Sequence, residues 1–154
     1  DDIRRLRAEG EAVRSRLLAL VDEDAAAFEP LSKAYSIPKD DPKRAEIMAR
    51  VTREACRAPM EMMRCCCRAV GLLEEMLDRG SAMLVSDVGC GALCCKAALE
   101  SAALNIFVNT KTMENRAEAE KLDAEADGLL GEYAPRAQRV AEEVTRRLRG
   151  KEKV

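Results

Sequence analysis

Apolar residues recur along this chain at steps of three and four, in four long blocks separated by short polar breaks. The first block carries Ile3, Leu6, Val13, Leu17, Leu20, Val21, Phe28, Leu31 and Tyr35. That spacing marks an amphipathic helix with one buried face. It predicts a helix from Asp1 to Tyr35, kinked at Pro30, where the ring removes a backbone donor and crowds the preceding turn. Asp41-Pro42 predicts the next start, with Asp as cap and Pro in the first helical position. The second block reads Ile47, Val51, Ala55, Met62, Cys66, Ala69 or Val70, Leu73 and Leu77. It predicts a helix from Pro42 to Leu77, bent at Pro59 or split there into two collinear pieces. Gly80 is the expected left-handed stop.

The third block predicts a helix from Ser86 to Asn109. Ser86 is the expected cap, and Asp87 in the first turn suits the helix dipole. Its interior holds Gly89, Gly91, Ala92, Cys94, Cys95, Ala97, Ala98, Ser101, Ala102 and Ala103. Small residues on several faces predict that this is the central helix, packed on two or more sides. The fourth block carries Leu122, Leu129, Leu130, Tyr133, Val140, Val144 and Leu148 and predicts a helix from Glu114 to Arg149, bent or broken at Pro135. Four long helices with short connections predict an all-α fold, an antiparallel up-and-down bundle of kinked helices forming one domain over residues 1–154.

Asp24 breaks this pattern. It lies three residues after Val21 and four before Phe28, so it shares the apolar face of its helix. A carboxylate there is costly unless something pairs with it, and desolvation would raise its pKa. A proton-transfer role and a structural pairing with Lys or Arg both fit such a residue. Asn105 and Asn109 lie four apart on one helix face, where they can bond to a neighbouring helix or contact a ligand.

Composition narrows the function. The chain is 47% hydrophobic and 35% charged with a formal net charge of -2, so nothing global points to nucleic acid. No uninterrupted apolar run approaches the ~20 residues of a membrane span, and no signal-peptide core follows the opening Asp-Asp-Ile-Arg-Arg. No membrane partner is therefore expected. The chain opens in mid-helix, and the expectation is that residues of the natural protein precede Asp1. Seven cysteines without framework-like spacing fit a reducing, cytoplasmic setting. Cys65, Cys66 and Cys67 point about 100° apart and cannot converge on one metal. Cys90 and Cys94 share a face, but a thiolate site would need two further ligands. With no histidine, acid-base chemistry falls to Asp, Glu, Lys, Tyr or Cys.

Read in order, several segments resemble the cyclodeaminase/cyclohydrolase family of folate enzymes. They are Leu20-Val21-Asp22-Glu23-Asp24-Ala25 with Phe28, Tyr35-Ser36-Ile37-Pro38-Lys39, Ala58-Pro59, Ser86-Asp87-Val88-Gly89, and Ala102-Ala103-Leu104-Asn105 with Asn109. The family includes the C-terminal domain of formiminotransferase-cyclodeaminase and stand-alone methenyltetrahydrofolate cyclohydrolases. The resemblance spans essentially the whole chain, with two departures. Nothing here corresponds to the family's first helix and its preceding Gly- and Ser-rich loop. Gly80-Ser81 stands where members often carry Gly-Asn.

The resemblance implies a homodimer of all-helical subunits with the folate site in a cleft near the dimer interface, a tetrahydrofolate derivative as substrate and no metal or redox cofactor. It implies catalytic roles for Asp24 and Asp87. It implies substrate contacts from Tyr35, Lys39, Ser86, Asn105 and Asn109, with Lys39 suited to the anionic glutamate tail. Asp87 and Asn105 are 18 residues apart, about 27 Å along one helix at 1.5 Å per residue, so they cannot touch one reactive atom within a subunit. A non-catalytic helical interaction domain is the alternative, and a thiol-based metal or redox protein a weaker one.

Overall fold

The computed structural model describes residues 2–150. Five α-helices follow one another: α1 (Asp2–Ala34), α2 (Arg44–Ala55), α3 (Arg57–Arg79), α4 (Val85–Thr110) and α5 (Arg116–Leu148). A short 3₁₀ turn over Ala82–Leu84 leads into α4. The direction alternates along an up-and-down bundle in which α2 and α3 act as one strut. Arg79 Nη1 donates to Asp2 Oδ2 at 2.6 Å, so α1 and α3 are antiparallel. Arg53 bonds Glu118 at one end of α5 and Arg147 Nη1 bonds the Leu77 carbonyl at the other, 2.7 Å, so α3 and α5 run parallel.

The helix boundaries have identifiable causes. Pro59 has no N–H to give the carbonyl four residues back, and α2 ends at that residue, Ala55. The long second helix is thus two pieces, with Cys56 as hinge. Pro30 and Pro135 lie inside continuous helices. Asp41 Oδ1 accepts from Lys43 N at 2.8 Å, but this caps a turn. The helix proper starts at Arg44, so the expected Pro42 start is two residues early. Gly80 is extended, φ -75 and ψ 165, rather than left-handed. Ser81 there accepts from Met83 N at 3.3 Å and caps the 3₁₀ turn. Because that turn feeds α4 directly, Ser86 falls within the first helical turn instead of capping it. Asn115 caps α5 by accepting from Glu118 N at 3.2 Å.

As expected, α4 is packed on two or more sides, but the hub, the helix that reaches all the others, is α3. It packs against each of the other four helices, which explains its three consecutive cysteines. Cys65 is buried with Val13 and Leu20 of α1, while Cys66 and Cys67 are buried with Leu99 and Ile106 of α4 and Ala126 of α5. Neighbours on a helix differ by about 100°, so three small residues in a row let helices approach on three sides. α4 packs on α3, α5 and α2 and leaves one face exposed. Ala82–Thr110 is apolar and long enough to cross a membrane by composition, although charged residues interrupt it. Only 22% of its most apolar stretch is buried.

Gly89 lets α4 come close to α5 at Val144. A Cβ built there would sit 2.7 Å from Val144 Cγ1, and a β-branched side chain yields little. Gly89→Ala should destabilise the protein by ~1–3 kcal/mol. Gly128 meets nothing within 4 Å, so Gly128→Ala should stabilise it by up to ~1 kcal/mol through helix propensity. Urea midpoints of the two variants should move in opposite directions.

Candidate functional site

Asp24 sits on α1 between Leu20, which packs with Ala58 and Cys65, and Leu31, which packs with Val51 and Ala55. That places it opposite the α2–α3 hinge. It is half-buried and makes no hydrogen bond or ion pair with any described residue. The expected apolar stripe around it is narrower than its sequence. Val21 and Phe28 are 61% and 60% exposed, and Ile3 and Tyr35 are exposed too. The reason is that α1 packs only on α2 and α3, so only a strip through Leu6, Val13, Leu20 and Leu31 is covered.

Tyr35 follows the last turn of α1 and lines a small cavity of about 240 Å³ with Arg44, Thr52, Met113, Asn115 and Glu118. Arg44 closes the α1–α2 connection by donating to the carbonyls of Ala34, at 3.2 Å, and Ile37. Lys39 is exposed in that connection. Asn105 is exposed and Asn109 half-buried near the C-terminal end of α4. Their Nδ2 groups donate to carbonyls of their own helix, Ser101 at 3.3 Å and Asn105 at 2.9 Å. Neither amide bridges to another helix, as one of the two sequence readings had it.

These five residues belong to one end of the bundle, where the end of α1, the α2–α3 hinge and the end of α4 come together. Ser86 and Asp87 belong to the other. They are exposed in the first turn of α4, beside the last turn of α3, because α4 is antiparallel to α3. The structure therefore does not bring the two acidic candidates, Asp24 and Asp87, together within one subunit.

Two features escape the sequence pattern. Thr110 Oγ1 donates to Asp123 Oδ1 at 2.6 Å, and Arg116 Nη1 donates to the Thr110 carbonyl at 2.7 Å. This knot ties α5 to the last turn of α4, directly behind Asn109. Thr110 is buried, yet a threonine ending a helix carries no periodic signal. The second feature is a charged groove between α1 and α5, with clefts of about 930 Å³ and 640 Å³. Several of its cations are paired: Arg136 with Glu74 at 2.6 Å, Arg64 with Glu125 at 3.0 Å, and Arg16 with Glu23. Arg136 holds Glu74 below the usual carboxylate range.

The thiols divide sharply by burial. Desolvation pushes Cys66 up to about 12, and Cys56 and Cys67 up to about 11. Cys90 and Cys94 are exposed on the bare side of α4. Among the described residues no group of three or more Cys, Asp or Glu converges on a metal position. Since only a thiolate attacks, iodoacetamide at neutral pH should label Cys90 and Cys94 first. Cys56, Cys66 and Cys67 should label only on unfolding, as peptide mass spectrometry would read.

Comparison with known proteins completes the site's context. Residues 1–128 match the family model described as formiminotransferase-cyclodeaminase. A methenyltetrahydrofolate cyclohydrolase from Methylorubrum extorquens is 31% identical over 147 residues, 93% of this chain and 71% of that protein. Formimidoyltransferase-cyclodeaminases from Sus scrofa and Mus musculus are 28% and 27% identical over 139 residues. The chain spans 26% of the length of each of those two.

Proposed function

Because the chain belongs to the formiminotransferase-cyclodeaminase family, we propose that it is a folate one-carbon enzyme whose chemistry is carried by carboxylates. The reactions in view are hydrolysis of 5,10-methenyltetrahydrofolate to the 10-formyl compound and cyclodeamination of 5-formiminotetrahydrofolate. The observation that best supports carboxylate catalysis is Asp24, half-buried and without a partner, at the end of the bundle that also holds Tyr35, Lys39, Asn105 and Asn109.

The chemistry needs such a group. In the hydrolysis, water adds to the carbon between N5 and N10, which belongs to a cationic amidinium system. A base takes one proton from the water; the resulting hydroxyl then gives up its proton to become the formyl carbonyl as the carbon–N5 bond breaks, N5 receives one proton, and the other is released. In the cyclodeamination, N10 attacks the formimino carbon and loses its proton, and the departing nitrogen gains a proton and leaves as ammonia. One carboxylate stabilises the cation in either reaction and relays the proton. Asp24 is assigned that role. Asn105, Asn109 and Tyr35 are assigned to the pterin side; Ser86 and Asp87, ~27 Å away along α4, are assigned to the pterin side and proton transfer of a site that the second subunit of a homodimer completes. Lys39, an exposed flexible ammonium, is assigned to the glutamate tail. The substrate is the tetrahydrofolate itself, and the assigned residues call for no resident metal or redox cofactor. A homodimer in a reducing cytosol, without membrane or nucleic-acid partner, completes this reading, and seven free cysteines suit that setting.

Hydrolysis is preferred because the match to the Methylorubrum extorquens cyclohydrolase spans 71% of that protein, against 26% for the cyclodeaminases from Sus scrofa and Mus musculus. Parallel assays of the full-length protein decide between the two. Loss of methenyl absorbance without ammonia release from the formimino compound is expected. Ammonia release alone would make it a deaminase. Turnover of neither, with no tetrahydrofolate binding by calorimetry, would leave a non-catalytic bundle.

A further inference from the structure

Side chains, not a special backbone conformation, close the end of α4. A helix leaves its last carbonyls without partners, and the usual remedy is a left-handed residue just past the end. Among the described residues only Gly150 has a positive φ. Here Arg116 Nη1 donates to the carbonyls of Thr110, at 2.7 Å, and Met113, at 3.3 Å. Thr112 Oγ1 donates to the Asn109 carbonyl at 2.9 Å. The buried Thr110 hydroxyl reaches sideways to Asp123 Oδ1 of α5 at 2.6 Å, the short distance of a hydroxyl bonded to a charged acceptor.

Asp123 also borders the α2–α3 hinge. Cys56, Met113 and Ala119 share one buried cluster, so the hinge, the α4–α5 connection and the first turns of α5 meet there. Burial pushes the Cys56 thiol up to about 11, and the negative charge of Asp123 adds to that effect. Asp123 therefore stands between the hinge, with Asp24 on its other side, and the end of α4 that carries the two asparagines.

We propose that Asp123 is a positioning residue: through Thr110 it fixes the rotation of the last turns of α4, and with it the place of the Asn105 and Asn109 amides relative to Asp24. The inference rests on the folate-enzyme reading for what the amides contact, but not for what holds them. Both amides bond only to carbonyls of α4 itself, so their direction is the direction of that helix.

The geometry makes rotation the sensitive variable. At about 100° per residue, Asn109 lies about 100° round the helix from Thr110, and Asn105 about 140°. Holding Thr110 against α5 thus turns both amides away from α5. Ala102, Ala103 and Ile106 fix the preceding turns by apolar contact, which has no preferred angle. The Thr110 hydroxyl bond is directional and weakens steeply when bent. A side-chain tip lies ~5–6 Å from the helix axis, so a turn of ~20° carries it ~2 Å. A misplacement of ~1 Å in a substrate-positioning group can cost ~10²-fold.

Four single variants of the full-length protein test this. Thr110→Val keeps the side-chain shape and removes the donor, while Asp123→Ala removes the acceptor. Asp123 is half-buried, so water can serve its carboxylate when the donor is lost. Each variant should raise KM for the folate substrate ~10–100-fold, with kcat within about threefold of the parent. The double variant should be no worse than the worse single one, because both remove the same bond. Thr110→Ser and Asp123→Asn retain a donor and an acceptor and should keep KM within about threefold of the parent. A purely structural role would lower the folded fraction, and hence the apparent kcat, at unchanged KM. That outcome would overturn the proposal, as would conservative variants that fail as badly as Thr110→Val and Asp123→Ala.

A second readout does not depend on turnover. Asn105, Asn109 and Asn115 are the asparagines of the chain, so selective ¹⁵N-asparagine labelling resolves their side-chain amides by NMR. Thr110→Val should shift the Asn105 and Asn109 signals, and Thr110→Ser should leave them near the parent positions. Unmoved signals in Thr110→Val would overturn the positioning. If the parent turns over neither folate while the amides shift, the function fails and the positioning stands.

Discussion

Asp24→Asn is expected to lower turnover of the folate substrate by ~10²–10⁴-fold, the range lost with a positioned acid-base group, while the far-UV helical signal stays as in the parent. Asn keeps the shape of the carboxylate and removes its charge and its basicity. Asp24 forms no pairing with a described residue that the substitution would break. A half-buried carboxylate without a partner is a stability cost, so Asn should also leave the urea midpoint unchanged or raise it. The combination of lost activity and retained stability separates a reacting group from a structural one. A structural role would move the stability and spare the rate. Full activity of Asp24→Asn would remove Asp24 from the mechanism.

The largest stability loss is expected where α4 meets the hub. Leu99 is fully buried and packs with Met60, Met63, Cys66 and Cys67 of α3 and with Ala126 of α5. Leu99→Ala should cost ~2–5 kcal/mol, the lost transfer energy plus the cavity left behind. The neighbours that would have to collapse into the gap are themselves pinned between three helices, which argues for the upper half of that range. Chemical denaturation of Leu99→Ala beside the parent would measure it. A loss under ~1 kcal/mol would mean that the α3–α4–α5 junction is loosely packed, contrary to its close-packed description.

Much of the architecture is legible in the residues. The three-and-four spacing marks the helices, Pro59 marks the break at Ala55, and the absence of strand patterns gives the all-α class. The hub is harder to read. Small residues in α4 signalled close packing but not on how many sides. In α3 the run Cys65-Cys66-Cys67 is the sharper sign, because consecutive small side chains open three faces at once. The outward turn of Val21, Phe28 and Tyr35 is not legible at all. Their spacing matches that of Leu20 and Leu31, and only the number of helices that reach α1 decides which are covered. Gly80 misled for a local reason: the chain enters a 3₁₀ turn and a new helix immediately, so an extended cap serves better than a left-handed one.

The candidate site divides the same way. Individual residues are legible, since Asp24 stands out from its stripe and Asp87 and Asn105 are countable along one helix. Their assembly is not. Periodicity places a residue on a face, but the level at which faces meet is fixed by helix direction and loop length. Those put Asp24 with Asn105 and Asn109 at one end and Asp87 at the other. The Thr110–Asp123 bond behind Asn109 is likewise a meeting of two helices that neither segment announces.

The central claim is that this chain is a folate one-carbon enzyme. The most direct measurement is the decay of 5,10-methenyltetrahydrofolate absorbance with purified full-length protein, at a pH where the uncatalysed hydrolysis is slow. Decay proportional to protein concentration, with 10-formyltetrahydrofolate as product, is the predicted result. Decay no faster than buffer, with 5-formiminotetrahydrofolate also left intact, would contradict it.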